Sequence, residues 1–167
     1  MSTTVFHDTI AKFREEPSAA QTAPAVIATL TEGRASLTGG PFTWQADLPP
    51  VVGGGNTAPS PTAYLLGALA GCAVVFIHDT LAPQLGVQLD GVSAVARCRS
   101  DLRGLLGMDG ANPSLADLAI EITIDSPDPS ERIDELHQAW LQRCPIYLAL
   151  ANPGHVDVTW ASTRVDT

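Results

Sequence analysis

Residues 58–72 read Ala-Pro-Ser-Pro-Thr-Ala-Tyr-Leu-Leu-Gly-Ala-Leu-Ala-Gly-Cys, and this stretch opens the apolar segment on which the fold depends. Ser60 followed by Pro61 is typical of a helix start, with serine as the N-cap and proline at the first helical position. No charge interrupts Ala63 to Ile77. The pattern predicts one central helix ending near Leu81, with a sheet covering one side and a partner chain covering another, because no face of it is polar.

Composition and charge limit the class of protein. The chain has 167 residues, which favours a single domain over 1–167, and its net charge is −9. An acidic surface argues against nucleic acid and anionic membranes as partners. Only 16% of the residues are charged and 45% are hydrophobic, so we expect extra surface to be buried in an oligomer, most simply a two-fold dimer. The apolar run of 15 residues stops at His78 and is shorter than the ~20 that a bilayer requires.

The remaining sequence predicts strands before and after the central helix, and two helices near the C-terminus. This order is typical of an α+β fold rather than of a parallel nucleotide-binding sheet. Asp128 is the predicted cap of the first late helix, with Glu131 completing a capping box. The other predicted elements are a short N-terminal helix over 3–16, strands over 25–31, 42–47, 87–102 and 118–125, a loop over 104–113, a helix over 146–151 and a last strand formed by Val156, Val158 and Trp160.

Three cysteines cannot all pair within one chain, and the N-terminus shows no secretory signal, so we expect free thiols in the cytoplasm. By position alone, Cys72 is most simply a small buried residue. Cys144 precedes Pro145, and its sulfur could face the unpaired amides of a new helix, which would lower its pKa. Cys98 lies on an apolar strand face and is interpreted as core.

Other chemistries lack support in the sequence. The four histidines are not spaced as metal ligands, so no metal site is predicted. The glycines at 53–55 are not followed by the lysine of a phosphate-binding loop. Arg34 is predicted in a turn, where it is either solvated or available to stabilise a thiolate.

The segment 58–72 resembles the signature of the OsmC/Ohr family, the osmotically inducible and organic-hydroperoxide-resistance proteins. Their central helix begins with a proline motif and runs through small residues and leucines to a cysteine. A second family cysteine comes much later, here as Cys144-Pro145-Ile146, and the turn over 152–156 is also similar. The resemblance extends from about Val26 to the C-terminus and leaves the N-terminal helix outside it.

The resemblance implies an intertwined α+β homodimer with antiparallel sheets around a long buried central helix. It also implies a thiol peroxidase in which Cys72 attacks organic hydroperoxides, Cys144 resolves the sulfenic acid as a disulfide, and an external dithiol or a lipoyl protein reduces it. Arg34 is the best match to the family arginine. No cofactor is expected. Thr62, Leu65, Leu69 and Phe76, with Val75, would form the apolar substrate pocket.

One position departs from the family pattern. Active members carry a glutamate ten residues before the peroxidatic cysteine, where it holds the arginine against the sulfur, and this chain has Thr62 there. A buried thiol without a fixed cation is a weak nucleophile. Two functions therefore stay open: a peroxidase, or a catalytically weak dimer that binds a small apolar ligand near Cys72. The third hypothesis is a purely structural role, in which replacement of either cysteine has no effect on function.

Overall fold

The computed structural model describes residues 3–162 and has an α+β architecture with two antiparallel sheets. The elements before the long central helix are α1 (Thr3–Glu15), β1 (Ile27–Thr31), β2 (Arg34–Gly39) and β3 (Phe42–Ala46). The central helix consists of α2 (Pro61–Phe76), a π-helical turn (Ile77–Leu81) and α3 (Ala82–Leu85). After it come β4 (Gly91–Arg99), α4 (Leu102–Leu105), β5 (Ala116–Asp125), α5 (Ser130–Arg143) and α6 (Pro145–Ala151).

The N-terminal sheet is a meander in the order β1-β2-β3. The sequence prediction missed β2 and placed Arg34 in a turn. The turn is instead formed by Glu32 and Gly33, both at positive φ (51° and 79°), so Arg34 already pairs with Thr31 in the ladder. Every residue of β1 is exposed. This sheet therefore has an uncovered face within a single chain.

The central helix is longer than predicted. The Ser60 hydroxyl accepts a hydrogen bond from the Ala63 amide at 3.2 Å, which confirms the predicted start. The predicted end near Leu81 is wrong, because the Ala82 amide bonds to the Ile77 carbonyl five residues back and the helix continues past Pro83. A widened turn of this kind accommodates a proline that has no amide hydrogen to donate. Gly86, at φ +65°, ends the helix.

The core lies between the central helix, the second sheet and α5. β4 pairs with β5, and their alternating apolar residues face α2 and α5. The buried members of this core are Ala73, Ile77, Leu81, Ala82, Val87, Leu136, Trp140 and Cys144. Val87 is buried here but lies outside the strand, because β4 starts four residues later and ends three residues earlier than the strand predicted over 87–102. The short helix α4 runs from the last residue of that predicted strand to the second residue of the predicted loop over 104–113.

Two predictions for the C-terminal part are wrong. Asp128 does not cap α5. Its carboxylate accepts the Gln88 amide at 2.7 Å, and Pro129 is the N-cap residue without a side-chain bond. The predicted last strand is not formed within the described chain, and Trp160 is 92% exposed. A strand needs a neighbouring backbone to pair with, and this segment has none here.

The segment Pro61–Leu85 is also long and apolar enough to cross a membrane. One such helix is weak evidence, since the core helix of a water-soluble protein has the same composition. It packs on one side against β4 and the α5 residues Leu136 and Trp140, as a core helix does, but only 28% of its apolar window is buried within the described chain.

Candidate active site

Cys72 and Cys144, 72 positions apart in the sequence, lie side by side. The Cys144 thiol donates a hydrogen bond to the Cys72 sulfur, with 3.5 Å between the two Sγ atoms. A disulfide requires about 2.05 Å, so small side-chain rotations would bring the sulfurs to bonding distance. Cys144 is completely buried, whereas Cys72 is partly exposed. The pair is thus an adjacent dithiol with one accessible sulfur.

Regular elements hold both cysteines in place. Cys72 lies in the C-terminal half of α2, one residue before the buried Ala73. Cys144 lies at the corner between α5 and α6, where its amide donates to the Trp140 carbonyl at 2.9 Å and its carbonyl accepts from Leu148 at 3.0 Å. Trp140 is itself buried and packs against Tyr147 in a tilted arrangement, with 5.0 Å between ring centroids. The geometry of the dithiol is therefore set by packed helices rather than by loops.

The immediate surroundings raise the pKa of the Cys72 thiol above its usual value. Burial is the largest cause, followed by the hydrogen bond and the charge of Cys144, while the Ile146 amide acts in the opposite direction. This overturns one prediction, since the amide at the start of α6 serves Cys72, and Cys144 makes no side-chain capping bond. The cause is geometric: the Cys144 side chain turns back toward α2 rather than over its own helix.

Arg34 does not reach the cysteines through any contact of the described chain. It lies at the start of β2 and forms an ion pair with Glu32, with 3.0 Å between Nη2 and Oε2. No arginine is among the groups that act on the pKa of Cys72. The predicted role of Arg34 beside the thiolate stays a prediction, and within one chain the structure does not bring the two together.

The predicted pocket residues share one stripe of α2 with Cys72. Thr62, Leu65, Leu69 and Phe76 are spaced three or four residues apart around the cysteine, which places them on the same helix face. Leu69 is buried, and the other three are partly exposed. A cavity of about 450 Å³ in the described chain lies elsewhere, between β5 and α5, and none of these four residues lines it. Their role as a substrate wall stays a prediction.

The structure also reveals a buried carboxylate that the sequence prediction overlooked. Asp47 accepts the amides of Leu48, Gly55 and Thr57 and the Thr57 hydroxyl, at 2.7 to 3.2 Å. The bonds from Thr57 lower the pKa of Asp47 from 3.8 to about 2. A Cβ on Gly54 would lie 1.9 Å from the Leu48 carbonyl oxygen, so the glycines fold this loop tightly before α2. Their role here is structural.

A second overlooked residue is Arg143, immediately before Cys144. Its guanidinium lies over the Phe76 ring, 5.9 Å from the ring centroid, and donates to Gln84 Oε1 at 2.7 Å. Phe76 lies one helical turn beyond Cys72. In the sequence, the only signal was a cation next to a candidate cysteine.

Comparison with known proteins confirms the family that the sequence resembles. A family profile described as OsmC-like protein matches residues 53–159, which include both cysteines. The chain belongs to the OsmC-like protein family. No curated protein sequence matches this OsmC-like chain.

Solved structures share the fold of this OsmC-like chain. An OsmC-like protein from Mycoplasma pneumoniae has a TM-score of 0.66 and 18% identity over 80% of this chain and 90% of its own. The organic hydroperoxide resistance protein OsmC from Legionella pneumophila has a TM-score of 0.58 and 16% identity over 78% and 90%. A putative organic hydroperoxide resistance protein from Vibrio cholerae has a TM-score of 0.56 and 20% identity over 80% and 88%. At these identities the likeness shows the fold alone.

Proposed function

We propose that this protein is a thiol peroxidase that reduces organic hydroperoxides through Cys72 and Cys144. The observation that carries the proposal is the 3.5 Å contact between the two sulfurs, one partly exposed and the other buried. Membership of a family that includes organic hydroperoxide resistance proteins supports it. An adjacent pair of thiols can supply the two electrons that cleave one peroxide bond.

The proposed cycle has three steps. The Cys72 thiolate attacks the outer oxygen of the hydroperoxide, the O–O bond breaks, and the alkoxide takes up a proton and leaves as an alcohol. Cys72 is now a sulfenic acid. The Cys144 sulfur attacks the Cys72 sulfur, the S–S bond forms, and the hydroxyl leaves as water after gaining the Cys144 proton. An external dithiol then reduces the disulfide by two thiol–disulfide exchanges and is itself oxidised to a disulfide. No metal or other cofactor takes part.

The cycle is tested by mixing the reduced protein with cumene hydroperoxide. We expect peroxide consumption and a disulfide between Cys72 and Cys144, detected by mass spectrometry of unreduced peptides. Cys72→Ser abolishes consumption, because it removes the nucleophile, whereas the matched variant Cys98→Ser retains it. Full turnover by Cys72→Ser would rule the proposal out.

The proposal includes a homodimer, since one chain leaves much apolar surface uncovered. Along α2 only Leu69 and Ala73 are buried, and Gly67 and Gly71 have open space where a Cβ would lie. Monomeric soluble proteins rarely expose large contiguous apolar patches. The exposed large apolar residues of the N-terminal sheet, α2 and the C-terminal segment are Val26, Ile27, Leu30, Phe42, Val75, Val156, Val158 and Trp160.

Light scattering tests the dimer. Gly67→Glu adds a charge to the open face of α2 without a clash inside the chain, so we expect it to shift the mass from dimer to monomer. The control Gln138→Glu adds the same charge on the exposed side of α5 and leaves the mass unchanged. A monomeric wild-type protein would exclude the dimer.

Activation of Cys72 is assigned to the partner subunit in this proposal. Burial and Cys144 both raise the Cys72 pKa, so the thiolate needs a cation that the single chain does not bring to it. Arg34 lies on the uncovered N-terminal sheet and is the proposed donor. Inactive Arg34→Ala and Cys72→Ser chains, refolded together, should regain part of the activity if Arg34 acts between subunits, and should stay inactive if it acts within one.

The second candidate is a dimer that binds a small apolar ligand near Cys72 without turnover. The raised pKa of Cys72 and the absence of the family glutamate at Thr62 favour it. A ligand retained through purification, with no peroxide consumption by the reduced protein, would select this function. We propose a cytoplasmic location for either function, since thiols stay reduced in that compartment.

A further inference from the structure

Arg143 lies at one end of the proposed reaction site with its charge unneutralised. The guanidinium is held by the face of the Phe76 ring and by the neutral amide of Gln84. Five other arginines, at positions 34, 97, 99, 103 and 132, each contact a carboxylate. Among the described side chains, residues 6–162, no carboxylate contacts Arg143. Since the whole chain carries −9, this is a local exception to its acidic character.

The contacts of Arg143 align it with Cys72 along one side of the central helix. Cys72 contacts Cys144, and Phe76, one turn later on the helix, contacts the preceding residue of the α5–α6 corner, Arg143. One turn separates Cys72 from Phe76, about 6 Å along the axis. The partly exposed Cys72 sulfur, an aromatic ring and a cation therefore follow one another along this side.

Guanidinium chemistry defines the ligand that would use this cation. Arginine presents five N–H donors in a planar fork, and the known contact with Gln84 uses one of its terminal nitrogens. The remaining donors fit the two oxygens of a carboxylate, and the contacts with the Phe76 ring and Gln84 restrict where the guanidinium can lie. The neighbouring stripe of α2, with Leu65, Leu69 and Phe76, is apolar.

We propose that Arg143 is a specificity-determining residue that binds the carboxylate of an anionic, long-chain hydroperoxide while its peroxide group meets Cys72. The inference rests on the proposed peroxidase function. It predicts that the enzyme prefers an acid to the corresponding neutral ester, although the net charge of the protein alone would favour the ester.

The matched substrates are linoleic acid hydroperoxide and its methyl ester. We expect wild-type kcat/KM to be about tenfold higher for the acid, mainly through a lower KM, because the carboxylate is bound before and during the reaction. Arg143→Gln brings this ratio close to one, and Arg143→Lys restores it in part, since lysine keeps the charge but not the fork. The control Arg97→Gln removes a charge from the exposed face of β4 and leaves the wild-type ratio intact.

The outcomes separate the two proposals. Equal turnover of acid and ester by the wild type overturns the role of Arg143 and leaves the peroxidase standing. If the wild type turns over neither substrate, the proposed peroxidase function is wrong. The role of Arg143 is then tested by ligand binding. Decanoate, but not methyl decanoate, should then protect Cys72 from iodoacetamide in the wild type and not in Arg143→Gln. Equal protection by both compounds in the wild type overturns it.

Discussion

Closing the disulfide between Cys72 and Cys144 should stabilise the protein by several kcal/mol. The two positions are 72 residues apart, so the bond would close a long loop in the unfolded chain. The entropy that such a loop removes from the unfolded state is worth about 4.4 kcal/mol at 25 °C. The folded state loses little in return, because the sulfurs are already 3.5 Å apart and need to approach by only about 1.5 Å. We expect a gain of roughly 2 to 4 kcal/mol.

Urea denaturation of the oxidised and reduced protein measures this gain. Protein concentration is held constant, because the stability of a dimer depends on it. A gain of this size raises the Tm by roughly 4 to 16 °C in a chain of 167 residues. Cys144→Ser should abolish the redox dependence, and Cys98→Ser should retain it. Equal stability of the two redox forms, with the bond confirmed by mass spectrometry, would show that bonding strains the folded state as much as it constrains the unfolded one.

Three further predictions concern Cys72 and the loop before α2. Cys144→Ala should move the pH midpoint of Cys72 alkylation downward, since two of the causes that raise its pKa disappear; an upward shift would contradict this. Asp47→Asn should lower the free energy of unfolding in urea at pH 7. That difference should shrink as the pH falls below 3.8 toward about 2, because the carboxylate stabilises the fold only while it is ionised. Gly54→Ala should cost about 1 to 3 kcal/mol in the same assay, against almost nothing for Gly154→Ala, which meets no neighbouring atom.

The sequence predicted the elements whose signals are local. The Ser60-Pro61 start of α2 is confirmed, because the cap and the fixed φ of proline act within one turn. The helix predicted over 146–151 begins one residue earlier, at Pro145, where the fixed φ of proline suits the first helical position although no side chain caps this helix. The strand β2 was missed because only four residues separate its two turn signals, too few for an alternation to stand out.

The predictions were wrong where the structure of a residue depends on a contact with a distant part of the chain. Asp128 has the spacing of a capping box, yet its carboxylate bonds to Gln88, 40 positions earlier. The strand predicted at Val156, Val158 and Trp160 has the right alternation, but strand formation depends on a neighbour that one chain does not provide. That the sulfurs of Cys72 and Cys144 meet was expected only from the family resemblance. Local spacing contains no information on such a contact.

The unequal burial of the two sulfurs gives the proposed cycle a direction. Once the disulfide has formed, an incoming reductant can reach only the sulfur of Cys72, because Cys144 is completely covered. Cys144 must therefore be the leaving group, and the reductant becomes attached to Cys72 as a mixed disulfide. The peroxide and the electron donor would therefore both react at the Cys72 sulfur, and they could bind there only one after the other.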